Sequence, residues 1–243
     1  MGRKGENQRT KRSMAPSFWS IHRKSHQFTV TTAPGPHSKA ESYPLAVLLR
    51  DILKAVKTYR EAMGIIRDGK VLIDGVVRRT PDFPVGLMDV VDIPILEKAY
   101  RMVPVEGSVL MPVEIPASEK NLKIGKVSSK TTVRGGKIQY GLHDGRSVLT
   151  ESEIALNPGD SLLLEIPTQK IVRTASLKSD VLALAMKGRR AGKVGRIKEV
   201  RPGTFTRSKM VDIEIDGSIT ELPAEMIIVI GNEEPLVTVK RGE

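Results

Sequence analysis

Residues 43–94 read YPLAVLLRDILKAVKTYREAMGIIRDGKVLIDGVVRRTPDFPVGLMDVVDIP, and the signals packed into this stretch decide the fold around which the rest of the chain is arranged. Leu45, Leu48, Leu49, Ile52 and Leu53 fall at i, i+3, i+4, i+7 and i+8, the spacing of one buried helical stripe, with Arg50 and Lys54 left facing outward. Thr58-Tyr59-Arg60-Glu61 reads as a capping box, in which the threonine hydroxyl and the glutamate each satisfy a backbone N–H left orphaned at a helix start. The second helix then buries Ala62, Ile65 and Ile66 and stops at Gly69, a residue able to take the left-handed conformation of a helix C-terminus. Residues 71–73 and 76–78 flank Asp74-Gly75, a pair suited to a two-residue turn with positive φ at both positions, so a hairpin is predicted. Residues 90–93 supply a third strand.

The same unit carries Lys54, Lys57, Arg60, Arg67, Lys70, Arg78 and Arg79 near the second helix and the hairpin. A run of charge is by itself compatible with a merely solvated face. The order of the motif breaks the tie. Thr58-Tyr59-Arg60-Glu61-Ala62, Ile65-Ile66, Gly69-Lys70-Val71, Ile73-Asp74-Gly75 and Asp89-Val90 resemble, in that order, the S4 RNA-binding domain. The resemblance implies that the two helices and the hairpin lie along structured RNA.

Composition narrows the function further. A chain of 243 residues with 40% hydrophobic content has room for two or three small cores. Only 4% of residues are aromatic while Gly and Pro number 21 and 15, which favours several turn-rich β units over one large enzyme core. The absence of cysteine excludes disulfides, thiolate catalysis and cysteine-ligated zinc. No apolar run reaches the roughly 18 residues of a membrane span, and Glu6 stands where an N-acylation signal needs Ser or Thr, so no membrane partner is expected. Net charge is +11, and it is unevenly held: residues 1–26 carry +6, residues 186–210 carry +8, and the remainder is −3. Two concentrated basic segments without an amphipathic apolar face point to a polyanion, and nucleic acid fits better than a lipid surface.

Residues 1–42 show no helical or strand period and read as an arm with little structure of its own. Arg3, Lys4, Arg9, Lys11, Arg12, Arg23 and Lys24 are its candidate phosphate ligands, with Trp19 either stacking on a base or anchoring the arm. His22 and His26 lack a third metal ligand, so no metal site is expected. Ala15-Pro16 with Trp19, Gly35-Pro36-His37-Ser38, Pro44-Leu45 with Leu49-Arg50, Asp74-Gly75, Pro84-Val85-Gly86 and Met88-Asp89-Val90 widen the resemblance, to the small-subunit ribosomal protein S4e family of archaea and eukaryotes. That resemblance implies a basic arm, an S4 domain, a β-rich central domain and a C-terminal KOW domain, in that order.

Residues 95–180 show short strands at 109–115, 122–127, 137–142 and 161–166, separated by turns at Arg134-Gly135-Gly136 and Asn157-Pro158-Gly159-Asp160, which suggests a small barrel. Lys126, Lys130 and Arg134 are its candidate RNA contacts. His143-Asp144 has no nucleophile or second base beside it and reads as a turn pair. The glycine- and lysine-rich stretch 186–200 is not a phosphate-binding loop, because only three residues separate Gly188 from Gly192 and Val194 follows Lys193 where a magnesium-binding hydroxyl belongs. Gly192-Lys193-Val194-Gly195-Arg196-Ile197 resembles a KOW motif instead, which implies an SH3-like barrel completed by strands at 211–215 and 226–230 around Asp216-Gly217. Its candidate RNA contacts are Arg189, Arg190, Lys193, Arg196, Arg207 and Lys209; residues 201–209 read as an exposed loop with Phe205 at its centre.

The expected fold is therefore α+β and multidomain: an arm over 1–42, a helix-helix-hairpin domain over 43–104, a central β-rich domain over 105–180, and a KOW domain with a C-terminal tail over 181–243. The expected function is that of a non-catalytic, cytoplasmic constituent of the small ribosomal subunit, a monomer there. Its partners are small-subunit rRNA and neighbouring ribosomal proteins, and it needs no cofactor or small-molecule ligand. The alternatives are an RNA-modifying enzyme, which lacks a cofactor fingerprint or catalytic cluster after residue 104, and a KOW-type transcription or RNA-processing factor.

Overall fold

The computed structural model describes residues 9–22, 24, 26–106, 109–150 and 156–239. Two compact units divide the chain, Met1–Met102 with Leu110–Lys120, and Val103–Val109 with Asn121–Glu243.

In the first unit the arm has more structure than its composition suggests. β1 (Arg9–Lys11) pairs antiparallel with β2 (Phe28–Val30), Lys11 lying opposite Phe28. Trp19 is fully buried, and its indole N–H donates to the Ser42 carbonyl at 2.9 Å. The Tyr43 hydroxyl donates to the carbonyls of Phe18 at 3.1 Å and Leu110 at 2.9 Å, while its ring meets that of Phe18 edge-on at 5.0 Å. Burial of this kind raises the Tyr43 pKa, because the phenolate would lose its hydration. The expectation of an arm with little structure of its own is thus corrected: an aromatic anchor of Phe18, Trp19 and Tyr43 fastens it into the core of its unit.

Next in order come β3 (Tyr43–Pro44), α1 (Leu45–Val47), α2 (Tyr59–Arg67), β4 (Leu72–Ile73), β5 (Val76–Val77), β6 (Pro84–Val85), β7 (Val90–Ile93), β8 (Lys98–Val105) and β9 (Val109–Ile115). α1 departs from the predicted stripe. After Val47 it widens into a π-helical turn over Leu48–Ile52, the Leu53 N–H donating to the Leu48 carbonyl at 2.8 Å. A wider turn rotates each residue less, so Leu45, Leu48 and Leu49 remain buried while Ile52 and Leu53 drift to a half-buried edge. Arg50 does not face outward either. It is half-buried, with its guanidinium on the Asp51 carboxylate at 2.7 and 3.1 Å.

α2 begins as its sequence dictates. The Glu61 N–H donates to the Thr58 hydroxyl at 3.2 Å, and the Glu61 carboxylate accepts the N–H groups of Lys57 at 3.0 Å and Thr58 at 3.4 Å. Those donors, Lys57 first, hold the Glu61 pKa below its ordinary value. Thr58→Ala removes the cap and is expected to cost about 1 kcal/mol, read as a lower midpoint in urea unfolding. Gly69 ends the helix in the left-handed region, and Asp74 and Gly75 both take positive φ in the predicted two-residue turn. The buried Asp74 carboxylate also accepts the Val90 N–H at 2.9 Å, which ties the hairpin to β7.

The resulting sheet has the order β5-β4-β7-β8-β9. Residues 109–115, expected as the first strand of the central region, instead form the edge of this sheet. The residues that carry the family resemblance interlock nearby. His37 Nε2 lies 3.0 Å from the Asp89 carboxylate, which also accepts the Gly86 N–H at 2.8 Å. A Cβ on Gly86 would stand 2.2 Å from the His37 ring.

The second unit is built mainly of sheet. β10 (Leu122–Thr132), β11 (Ile138–Leu142), β12 (Ser147–Thr150), β13 (Ser161–Glu165) and β14 (Lys170–Ala175) form one antiparallel sheet in the order β12-β11-β10-β13-β14. β15 (Leu182–Ala185), β16 (Val194–Arg201), β17 (Met210–Ile215), β18 (Ser218–Pro223) and β19 (Ile227–Gly231) form a second, in the order β18-β17-β16-β15-β19. Glycine is required in β16: a Cβ on Gly195 would lie 2.3 Å from the Glu214 carbonyl oxygen of β17.

Side chains stitch the two sheets together. The Val229 N–H donates to Ser161 Oγ at 3.1 Å, and the Lys126 ammonium donates to the carbonyls of Ala224 and Glu225, each at 2.8 Å. Lys126 is therefore corrected from an RNA contact to a buried internal strut. Burial pushes its pKa down to about 8. Between about pH 8 and 10.5 the unfolded chain holds this proton and the folded one does not, so stability rises with pH across that window. The wild type is expected to gain stability over Lys126→Met as pH rises from 8 to 10, measured by paired urea titrations. His143-Asp144 occupies a turn, as predicted, and Asp144 is buried against Lys123 at 2.9 Å and Arg146 at 3.1 Å.

Candidate nucleic-acid interface

The nine residues of α2 set the spacing of the basic face in the first unit. At about 1.5 Å per residue the helix is roughly 13 Å long. Lys54, Lys57 and Arg60 lie in its approach and first turn, and all three are exposed. Arg60 sits two residues past the cap, at the positive end of the helix dipole, where a cation is locally unfavourable by about 0.3–1 kcal/mol.

Arg67 and Lys70 lie at the other end of α2 and are exposed, Lys70 in a solvent-accessible pair with Asp68 at 2.9 Å. The hairpin adds to them. Arg79 is exposed, and its Nε would lie 3.5 Å from a Cβ on Gly69, which places it against the helix C-terminus. Arg78 is half-buried with its guanidinium 4.4 Å from the centre of the Phe83 ring. Of the seven expected cations of this unit, six are thus exposed along one helix and its following hairpin, and Arg78 is partly withdrawn. Among the described residues, Lys54, Lys57, Arg60, Arg67 and Arg79 form no ion pair.

Gly64 falls between Arg60 and Arg67 on the same helical stripe, and a Cβ there would meet nothing within 4 Å. Gly64→Ala is accordingly expected to stabilise α2 by about 0.5–1 kcal/mol, checked as a rise in melting temperature.

On the arm, Arg9, Lys11 and Lys24 are exposed. Arg12 is corrected: its guanidinium donates to the carbonyls of Ile21 at 2.6 Å and His22 at 2.9 Å and so holds the arm's own turn. Of the two readings of Trp19, stacking or anchoring, its burial favours the second, since a ring with no exposed surface anchors and does not stack. Arg3, Lys4 and Arg23 lie outside the described residues.

In the second unit the connection from β15 to β16 presents Arg189 exposed and Arg190 half-buried. Its path is narrow, for a Cβ on Gly192 would lie 2.4 Å from the Pro104 carbonyl oxygen. Lys193 is ion-paired to Asp216, Arg196 to Asp180 at 3.6 Å, and Arg207 to Glu221 at 2.7 Å, whereas Lys209 is half-buried. Exposed pairs of this kind contribute little to stability and are readily exchanged for another anion. Phe205 is fully exposed in its loop, as its sequence suggests, and Lys130 lies over the Tyr140 ring at 5.9 Å.

Sequence reasoning passed over Phe28, Met14 and Lys39, which border a groove beside Arg9 and Lys11. The β1–β2 register sets Phe28 opposite Lys11, and the fold of the arm brings Met14 and Lys39 to the same groove. Among the described residues no group of three or more His, Asp or Glu is placed to hold a metal ion, and no helix is long and apolar enough to cross a membrane.

A capped helix followed by a tight hairpin, with cations along both, defines the S4-domain class, and residues 44–91 match the S4 domain. Residues 4–40 match the RS4NT (NUC023) domain and residues 96–171 match ribosomal family S4e. Small ribosomal subunit protein eS4 of Ignicoccus hospitalis is 39% identical over 247 residues, covering 98% of this chain and 97% of its own length. The protein of the same name from Methanothermobacter thermautotrophicus is 39% identical over 237 residues, covering 96% of each. Among solved structures, the crystal structure of 30S ribosomal protein S4e from Thermoplasma acidophilum matches with a TM-score of 0.69 and 28% identity, over 79% of this chain and 96% of that one. The chain belongs to the S4e family of small-subunit ribosomal proteins.

Proposed function

We propose that this protein is a non-catalytic structural constituent of the cytoplasmic small ribosomal subunit, which it joins as a monomer by binding rRNA. The observation that carries this reading is the set of exposed cations along α2 and the hairpin, in a unit whose arm is also basic. Lys54, Lys57, Arg60, Arg67, Lys70 and Arg79 displace counterions from RNA phosphates, and fixed elements read the shape of folded RNA more than its sequence. Arg9, Lys11 and Lys24 extend the contact along the arm, with Arg3, Lys4 and Arg23 as further candidates from the sequence.

In the second unit, the β15–β16 connection serves as a KOW-type loop through Arg189 and Arg190, with Lys193, Arg196 and Arg207 exchanging their carboxylate partners for phosphate. Residues 211–243 carry two basic and eight acidic residues, so their surface suits a basic neighbouring ribosomal protein rather than RNA.

Co-sedimentation tests the reading. The tagged protein should stay with small subunits through a high-salt gradient; recovery with polymerase or free tRNA instead would favour a factor acting away from the ribosome.

A further inference from the structure

Phe28 and Met14 are 48% and 70% exposed on an otherwise anchored arm. An aromatic ring and a thioether left in water together gain nothing for the fold, so their neighbours indicate what covers them. They border an open groove of about 630 Å³ with Arg9, Thr10, Lys11, Thr31 and Lys39. Lys11 stands directly across the strand pair from Phe28, and the Lys39 ammonium donates to the Thr10 hydroxyl at 3.4 Å, which brings it to the strand bearing Arg9 and Lys11. No Asp or Glu occurs anywhere from residue 7 to residue 40. Three cations around an exposed ring, with no acid among the residues that line the groove, match the two halves of a nucleotide: a flat base and its phosphates. The other exposed ring differs, because Arg207 close to Phe205 in its loop is already paired to Glu221.

We propose that this groove receives an unstacked nucleobase of the rRNA, with Phe28 as the stacking face, Met14 closing its side, and Arg9, Lys11 and Lys39 holding the adjoining phosphates. The proposal rests on the rRNA-binding reading above and adds a defined site to it: the arm contributes a base contact as well as charge, and the ring that makes it is Phe28 rather than Trp19.

The test uses the full chain and a small-subunit rRNA transcript in filter binding at several salt concentrations, with Phe28→Ala, Phe28→Leu and Phe28→Tyr. Phe28→Ala is expected to weaken binding by roughly 5- to 150-fold with an unchanged salt slope, since a neutral contact is lost. Tyr should bind like Phe, and Leu should resemble Ala. Arg9→Gln with Lys11→Gln should instead flatten the salt slope, by about 0.7 per phosphate contact to a single strand. Emission from Trp19, the sole tryptophan, reports whether the arm stays anchored. If Phe28→Ala disturbs that emission, the comparison of Leu with Tyr decides. Wild-type affinity in Phe28→Ala, or equal binding by Leu and Tyr, overturns the base site while leaving rRNA binding intact; in the second case the groove packs against apolar protein or sugar. A wild type that does not bind the transcript removes the reading beneath it.

Discussion

Asp144→Ala is expected to destabilise the second unit by about 3–5 kcal/mol, because it removes a buried carboxylate that meets the buried Lys123 ammonium and the Arg146 guanidinium. The Asp144 and Lys123 side chains are each 1% exposed, and they meet at 2.9 Å. Burial by itself would raise the Asp144 pKa; the charge of Lys123, then that of His143, together with hydrogen bonds from Lys123 and the Arg146 N–H, outweighs it, and the pKa lies below its ordinary value. A carboxylate depressed in the folded state contributes stability above its unfolded value, near 3.8, and that contribution is lost as pH falls through the folded value. Urea unfolding at neutral pH gives the magnitude. The double substitution Asp144→Leu with Lys123→Met should recover most of the loss, since an apolar pair of similar volume needs no compensation. A single variant within about 0.5 kcal/mol of wild type, the usual range for surface changes, would show that the pair is solvated.

Reversing two charges on α2 should have the largest effect on binding. Arg60→Glu with Arg67→Glu is expected to weaken binding to small-subunit rRNA on the order of tenfold or more and to reduce the salt slope by about 1.4–1.8, the share of two phosphate contacts. Both side chains are exposed and make no ion pair among the described residues, so the melting transition should be retained. The small stability changes should have opposite signs. Glu near the start of α2 agrees with the helix dipole and Glu at its end opposes it, each by about 0.3–1 kcal/mol. Circular dichroism separates the outcomes: normal melting with weakened binding supports an RNA-facing helix, whereas a lost transition would assign both arginines to the fold.

The features legible in the sequence are those fixed within a few residues. Thr58 and Glu61 cap α2, and Asp74-Gly75 makes the hairpin turn, because each motif satisfies its own backbone groups locally. What escaped depends on distant partners. Trp19 in an arm of Ser, Pro and Arg can be read as stacking or anchoring, and only the Ser42 carbonyl and the neighbours of Tyr43 that enclose it decide for anchoring. Lys123 and Lys126 look like ordinary surface lysines until Asp144 and the carbonyls of residues 224 and 225 come to meet them. Residues 109–115 have the pattern of a strand, but a pattern does not name the sheet, and β9 joins the first unit. The π-turn of α1 likewise keeps Leu45, Leu48 and Leu49 inside while leaving Leu53 half-buried and Arg50 on Asp51.

The basic face was legible as composition and less so as geometry. The chain shows where cations are dense, and the structure separates those left outward, such as Arg60 and Arg67, from Arg12, which is spent on the carbonyls of Ile21 and His22.

The most direct measurement is the salt dependence of the full chain's affinity for a small-subunit rRNA transcript. Engagement through the six exposed cations of α2 and the hairpin predicts a log–log slope of about −4 to −5 from that face alone, with the arm making it steeper. A slope near zero, or the same slope after Arg60 and Arg67 are reversed, would contradict the account.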